Sequence, residues 1–561
     1  MATVDFSEMT VARPTVEEVQ ARYAGLNAAW QQATCADQRL AVLHDWDQLR
    51  RHLETWEALV QLRFQQDTQD AQARAEREYA DGIRPQLTAP AMEFKRQVLA
   101  SEHRQEVVVK YGQHLLDLWA ADIVTFAPEI AADLVAESQL EAEYTELLAA
   151  ARIEFQGRSV NLSEIVKYRE HADRAVRYAA ERARWGWFAE NRQQLDRIFG
   201  DLVRLRHGMA RKLGFDNFIG LGYQRMKRVD YSQADVERFR AGVREYVVPL
   251  AQELRRRQQT RLPVEELMFW DEPVHDARGN PAPQGDHDWM IARAQEMFQE
   301  MGGDLGPFFQ LMIDTHLMDL KNRDTKAGGG FCTAFPDYGV PYIFANFNGT
   351  KGDVEVFTHE MGHAFQAYQS RHQPVLDYLW PTYESCEIHS MSLEFLTWPH
   401  MEKFFGAEAE RFRQIHLMQS ILFIPYGVAV DHFQHLVYAE PEATPERRHA
   451  MWQEVERMYL PWRNYGDLPH VRDGGFWQFQ RHIYLSPFYY IDYTLAQTCA
   501  LQFWRRSTRD FGAALASYTE LCARGGAAPF QALCQSAGLV SPFTADGLRD
   551  VVADARTTLF P

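Results

Sequence analysis

Two histidines four residues apart, His359 and His363, with Glu360 directly after the first, constrain this chain more than any other feature. Side chains at that spacing meet only on a helix, one turn apart on one face. The run DVEVFTHEMGHAFQ from Asp353 to Gln366 is therefore read as a helix whose two imidazoles point the same way. Just before it, KAGGGFCTAFPDYGVPYIFANFNGT from Lys326 to Thr350 reads as β structure: FCTAF and PYIFANF are joined by PDYG as a two-stranded hairpin. It is the one sheet the pattern predicts. Elsewhere apolar residues recur at helical spacing, as over Ala136–Phe155. From Leu195 to Leu213 the stripe Ile198, Leu202, Leu205 and Met209 is followed by Gly214, which is expected to end that helix. The expected fold class is mainly α.

The chain has 561 residues with 59 Lys+Arg against 77 Asp+Glu, a formal charge of −18. That balance argues against nucleic-acid or anionic-membrane binding, both of which need clustered positive charge. Six cysteines without a CxxC pair support neither a disulfide framework nor a thiolate metal site. Cys332 and Cys386 are expected to be inert buried thiols. The N-terminus lacks a basic start followed by an apolar run, and no stretch of about 18 apolar residues occurs, so a cytoplasmic protein is expected. The loop DEPVHDARGNPAPQGDHD, Asp271–Asp288, reads as a connection.

Two imidazoles on one helix face can each reach a zinc ion at ~2.0–2.1 Å. Glu360 lies about 100° round the helix, off the ligand row, where it can act on a water at an open coordination position. Twenty histidines in 561 residues yield about 0.7 such pairs by chance, and roughly 0.05 once a following Glu is required. The metal reading is favoured. A third protein ligand is needed if the fourth position is to hold water. A histidine six residues after the second is absent, since position 369 is Gln. Carboxylates in YESCEIHSMSLEFLTW are the alternative, with Glu384, Glu387 and Glu394 as candidates, and spacing prefers Glu387 to Glu384 while leaving both open. Were Glu387 the ligand, Glu394, seven residues on, would point the same way one layer behind and could accept a proton from a ligand imidazole. A last cluster, HIYLSPFYYIDY from His482 to Tyr493, suits core packing but also supplies donors for an oxyanion.

Taken together, His359-Glu360-Met-Gly-His363, Glu387-Ile-His-Ser-Met-Ser-Leu-Glu394 and the His482–Tyr493 segment resemble the thimet oligopeptidase and oligoendopeptidase F family of zinc metallopeptidases, in its Pz-peptidase-like bacterial branch. The segment KLGFDNFIGLGYQRMKRVDY, Lys212–Tyr231, is similar to one in the oligoendopeptidase-type and Pz-peptidase-type members. The resemblance implies a two-lobed helical fold with a deep substrate channel and a small sheet beside the zinc helix. The expected division is an N-terminal helical lobe, 1–190, and a catalytic lobe, 191–561. It further implies one zinc ion per chain held by His359, His363 and Glu387, with Glu394 behind them and Glu360 as general base. His482, Tyr489 and Tyr493 would hold the oxyanion, with Tyr490 an alternative because YLSPF replaces the glycine-rich loop of thimet-type members. Gly329, Gly330, Phe331 and Cys332 would pair with substrate backbone. The implied activity is internal cleavage of short unstructured oligopeptides. A carboxypeptidase-type exopeptidase on the same fold and a silent peptide-binding protein are the alternatives. Nothing in the pattern specifies an oligomeric state.

Overall fold

The computed structural model describes residues 4–275, 277–323 and 325–560, and most of them are helical, as the apolar periodicity requires. The loop expected over 271–288 is present apart from Asp276, which lies outside the described residues. The elements used below are, in chain order, helix α1 (Ala36–Gln66), strands β1 (Ile153–Phe155) and β2 (Arg158–Val160), helix α2 (Phe218–Arg225), strands β3 (Met318–Lys321), β4 (Phe331–Phe335) and β5 (Val340–Phe347), and helices α3 (Lys351–Gln369), α4 (Tyr383–Leu396), α5 (Ala409–Ala439), α6 (Tyr490–Ser507) and α7 (Phe511–Arg524).

The chain divides into two compact units, each assembled from three stretches. Unit 1 comprises Met1–Val124, Ala282–Ala409 and Cys499–Leu539; unit 2 comprises Thr125–Pro281, Glu410–Thr498 and Val540–Pro561. The division expected at 190/191 falls inside unit 2, between the helices Arg174–Glu190 and Arg192–Lys212. No helix among the described residues is long and apolar enough to cross a membrane.

In unit 1 an aromatic core gathers Tyr23, Trp30, Trp46, Phe94 and Trp119 with Val375 and Tyr378. Beside it lies a three-stranded sheet of order β3-β5-β4, not the two-stranded hairpin expected. β4 and β5 do pair antiparallel, Phe331 opposite Phe344 through Phe335 opposite Val340. β3 adds in parallel on the other side of β5. Its four residues, MDLK, are too few to show a period. β5 is central and its residues Pro341–Ala345 are buried, which explains their continuous apolar character. The turn from β5 into α3 is fixed by Asp353, whose carboxylate accepts from the N–H groups of Asn348 (2.9 Å) and Gly349 (2.7 Å).

Unit 2 holds the second departure. The helical run expected over Ala136–Phe155 stops at Ala149, and Ile153–Phe155 turns back as β1 against β2. Gln156 and Gly157, at φ 51° and 73°, make the tight connection. The helix expected over Leu195–Leu213 is present as Arg192–Lys212, with Ile198, Leu202 and Met209 buried and Gly214 following at φ 85°.

Candidate metal centre

The site in unit 1 depends on how closely α3 and α4 approach. At Gly362 a Cβ would lie 2.5 Å from the carbonyl oxygen of His389 and 2.6 Å from the Cα of Ser390. Only glycine permits that backbone contact. The approach brings Glu387 of α4 against the histidines of α3: its Oε2 lies 3.3 Å from Nε2 of His359 and 3.5 Å from Nε2 of His363. Two ligand atoms each ~2.0–2.1 Å from a tetrahedral zinc ion stand about 3.3 Å apart. Two imidazoles and one carboxylate at this spacing therefore fit zinc in both donor chemistry and distance. Among the described residues they are the one group of three or more such side chains that can hold a metal. Glu384, left open by spacing, is buried on α4 outside this group.

The surroundings orient the three donors. Nδ1 of His359 meets Glu394 Oε1 at 2.7 Å, which leaves Nε2 facing the cluster. The Ser390 hydroxyl donates to Glu387 Oε2 at 2.9 Å, and the Tyr518 hydroxyl of α7 donates to the His389 carbonyl at 3.0 Å. Burial works against ionising Glu387, yet the His363 and His359 rings hold its carboxyl well below the usual carboxylate range. Glu360 stands apart from the donor row. Burial pushes its pKa upward, and Oε2 has no hydrogen-bond partner among the described residues.

Strand β4 runs past this carboxylate. A Cβ on Gly330 would lie 3.6 Å from Glu360 Oε1. Cys332, expected to be buried, is half-buried, and desolvation pushes its thiol well up, with the charge of Glu360 adding to the effect. Gly329, at φ 100°, and Gly330 are exposed, whereas Phe331 and Cys332 are half-buried. Asn346 of β5 ties the glycine loop down by donating to the carbonyls of Ala327 and Gly329, both at 2.9 Å. As the outer strand of the order β3-β5-β4, β4 borders a cavity of 280 Å³ lined by Phe331, Cys332 and Thr333 with Glu54, Glu57 and Gln61 of α1.

In unit 2 the structure gathers the remaining expected residues. The His482 ring lies 5.6, 5.2 and 5.7 Å from those of Tyr489, Tyr490 and Tyr493. Tyr426 donates to Gln480 Oε1 at 2.5 Å, so the Gln480 amide faces His482 Nδ1, 2.9 Å away, as a donor. A neutral His482 ring accepting there carries its proton on Nε2. The Tyr490 ring also packs edge-on against that of Tyr426, with 5.6 Å between ring centres.

Sequence reasoning missed Gly362, Ser390 and Tyr518. The first was visible inside the motif, but its role needs the partner helix. Ser390 shares a helix face with Glu387, three residues on, but its bond to that carboxylate was not drawn from the spacing, and Tyr518 had no local signal.

Residues 6–126 match the Peptidase M3 N-terminal domain and residues 308–552 match Peptidase family M3. Among solved structures, Pz peptidase A with an inhibitor is 42% identical over 99% of both chains, with a TM-score of 0.95. A protein provisionally named oligoendopeptidase F is 43% identical over 99% of this chain and 98% of its own, TM-score 0.95. Another with that provisional name, from Bacillus anthracis str. Ames, is 40% identical over 99% and 98%, TM-score 0.90. No curated protein matches. The chain belongs to peptidase family M3. Within that family it is an oligoendopeptidase F-like peptidase.

Proposed function

We propose that this peptidase is a zinc-dependent endopeptidase that cleaves internal bonds of short unstructured oligopeptides. The observation that carries the proposal is the spacing of His359, His363 and Glu387, with the unpartnered Oε2 of Glu360 on the same helix. Bound by these three side chains, one zinc ion per chain would supply Lewis acidity, polarising the scissile carbonyl and acidifying a water. Glu360 takes the proton of the attacking water and passes it to the leaving amine. A carboxyl raised by burial suits both transfers, because a base of very low pKa gives its proton up too readily to hold it between steps. Substrate backbone pairs with β4 at Gly329, Gly330, Phe331 and Cys332, an outer-strand contact that gives affinity with little dependence on sequence. The oxyanion is held by Nε2–H of His482 and the hydroxyls of Tyr489 and Tyr493, a role that rests on the resemblance of that segment. The cytoplasm remains the proposed compartment.

The test measures zinc content and digests a library of doubly capped peptides with wild type and Glu360→Gln. One zinc in both proteins, with internal cleavage by wild type and a loss of about 10²- to 10⁴-fold in the variant, is the expected result. An intact capped library, with cleavage of the same peptides once their C-termini are uncapped, would favour exopeptidase action. Absence of bound zinc after purification in metal-replete buffer would overturn the proposal.

A further inference from the structure

Of the segments the sequence marks out, Lys212–Tyr231 is the one to which the proposed chemistry assigns no task. Within unit 2 its residues converge on one point of the backbone, Phe488. This buried residue sits at φ 70°, a left-handed conformation that side-chain-bearing residues rarely adopt. Three contacts hold it there. Its N–H donates to Gln434 Oε1 at 2.9 Å, and its carbonyl accepts from Arg228 Nη2 at 2.6 Å. Its ring fills the space over Gly222 of α2, where a Cβ would lie 2.6 Å from a ring carbon.

Arg228 reaches further along the same segment. Its Nη2 also donates to Asp492 Oδ1 at 2.7 Å, and both side chains are fully buried. Tyr231 donates to the same oxygen at 3.4 Å. Nε and Nη1 of Arg228 have no hydrogen-bond partner among the described residues. Donors left unpaired on a buried cation cost stability, and the two bonds Arg228 does make are held against that cost. Those two bonds fall on residues 488 and 492, which bracket Tyr489 and directly precede Tyr493 at the start of α6.

We propose that Arg228 is a positioning residue for Tyr489 and Tyr493: by bridging the Phe488 carbonyl and the Asp492 carboxylate it locks the left-handed turn that aims both phenols. Gly222 serves the same lock by leaving room for the Phe488 ring. The inference rests on the oxyanion role given to the two tyrosines above.

The experiment compares kcat, KM and Tm for Arg228→Lys, Arg228→Gln and Gly222→Ala. Each is placed in the wild-type chain and in a Tyr489→Phe/Tyr493→Phe background. In the wild-type chain Arg228→Gln is expected to lower kcat by about 10- to 100-fold with KM little changed, the size of effect a misplaced group produces. Arg228→Lys, which keeps the charge and one directed donor, recovers part of that loss. In the double-Phe background the same substitutions cost little more, because the phenols they position are gone. Equal losses in both backgrounds would show Arg228 to be merely structural and overturn the proposal. Full kcat in the Tyr489→Phe/Tyr493→Phe protein itself would remove the oxyanion reading and the proposal with it. Should Arg228→Gln fail to fold, Gly222→Ala carries the same comparison, since it displaces the Phe488 ring while leaving the buried ion pair intact.

Discussion

The two carboxylates beside the three donors, Glu360 and Glu394, differ in what they touch, and single substitutions should separate them. Glu394 Oε1 meets Nδ1 of His359 at 2.7 Å, holding the ring's tautomer and direction. Its removal in Glu394→Ala should lower zinc affinity by about 10- to 100-fold, measured by competition with a chromophoric chelator. Glu360→Gln, by contrast, should leave affinity within a few fold, because its carboxylate makes no bond to a donor ring. Equal metal affinities for Glu394→Ala and wild type would show that the His359 ring needs no such support. The contrast also explains what was readable in advance. His359, Glu360 and His363 share one helix, so four-residue spacing alone revealed their geometry. Glu387 and Glu384 lie on a second helix, and the relation between two helices leaves no trace in local spacing. Spacing favoured Glu387 only slightly and family resemblance settled on it; the structure brings Glu387 to the histidines.

At the level of elements, the metal centre is a property of the α3–α4 contact. Both atoms that a Cβ on Gly362 would strike, the His389 carbonyl oxygen and the Ser390 Cα, are backbone, so no side chain can swing away to relieve it. Gly362→Ala must push α4 outward and carry Glu387 from the histidines. Overpacking of this kind costs about 1–3 kcal/mol, and a fall in Tm together with lost zinc is expected. Gly208 provides the control. It lies inside the helix Arg192–Lys212 with nothing within 4 Å of where a Cβ would stand. There alanine should stabilise by up to about 1 kcal/mol through helix propensity, read as a rise in Tm at unchanged activity. The elements that went unpredicted fail for related reasons. β1 and β2 have three residues each, too few for alternation to register, and β1 follows a helix whose apolar spacing continues into it. β3 has four residues, of which only Leu320 is buried, so it too lacks a readable pattern. The β4–β5 hairpin was readable because two longer β-rich runs flank one turn.

Across the whole molecule, periodicity identifies helices without saying which of them pack together, and here the packing partners are far apart in the chain. The boundary expected at 190/191 would separate residues the structure joins within each unit. In unit 1, α1 supports the sheet and the segment before α4: Thr55 accepts from the Asp337 N–H at 3.0 Å, Gln66 donates to the Tyr342 hydroxyl at 2.9 Å, and Asp47 accepts from the Leu376 N–H at 2.7 Å. Val375 and Tyr378 are buried in the same core as Trp46 and Trp119. In unit 2, the fully buried Asp271 is paired with Arg177 at 2.8 Å and Arg174 at 2.7 Å, both on the helix that the cut removes. Leaving a buried charge without its partner costs about 3–5 kcal/mol, a large share of the ~5–15 kcal/mol by which proteins are stable at all. A fragment of residues 191–561 carries every proposed zinc ligand, yet it should show no cooperative thermal transition and bind zinc no better than an unfolded chain. Calorimetry of that fragment with and without zinc decides the matter. A sharp transition that shifts upward with metal would mean that the site is built by local sequence after all, and that residues 1–190 only border it.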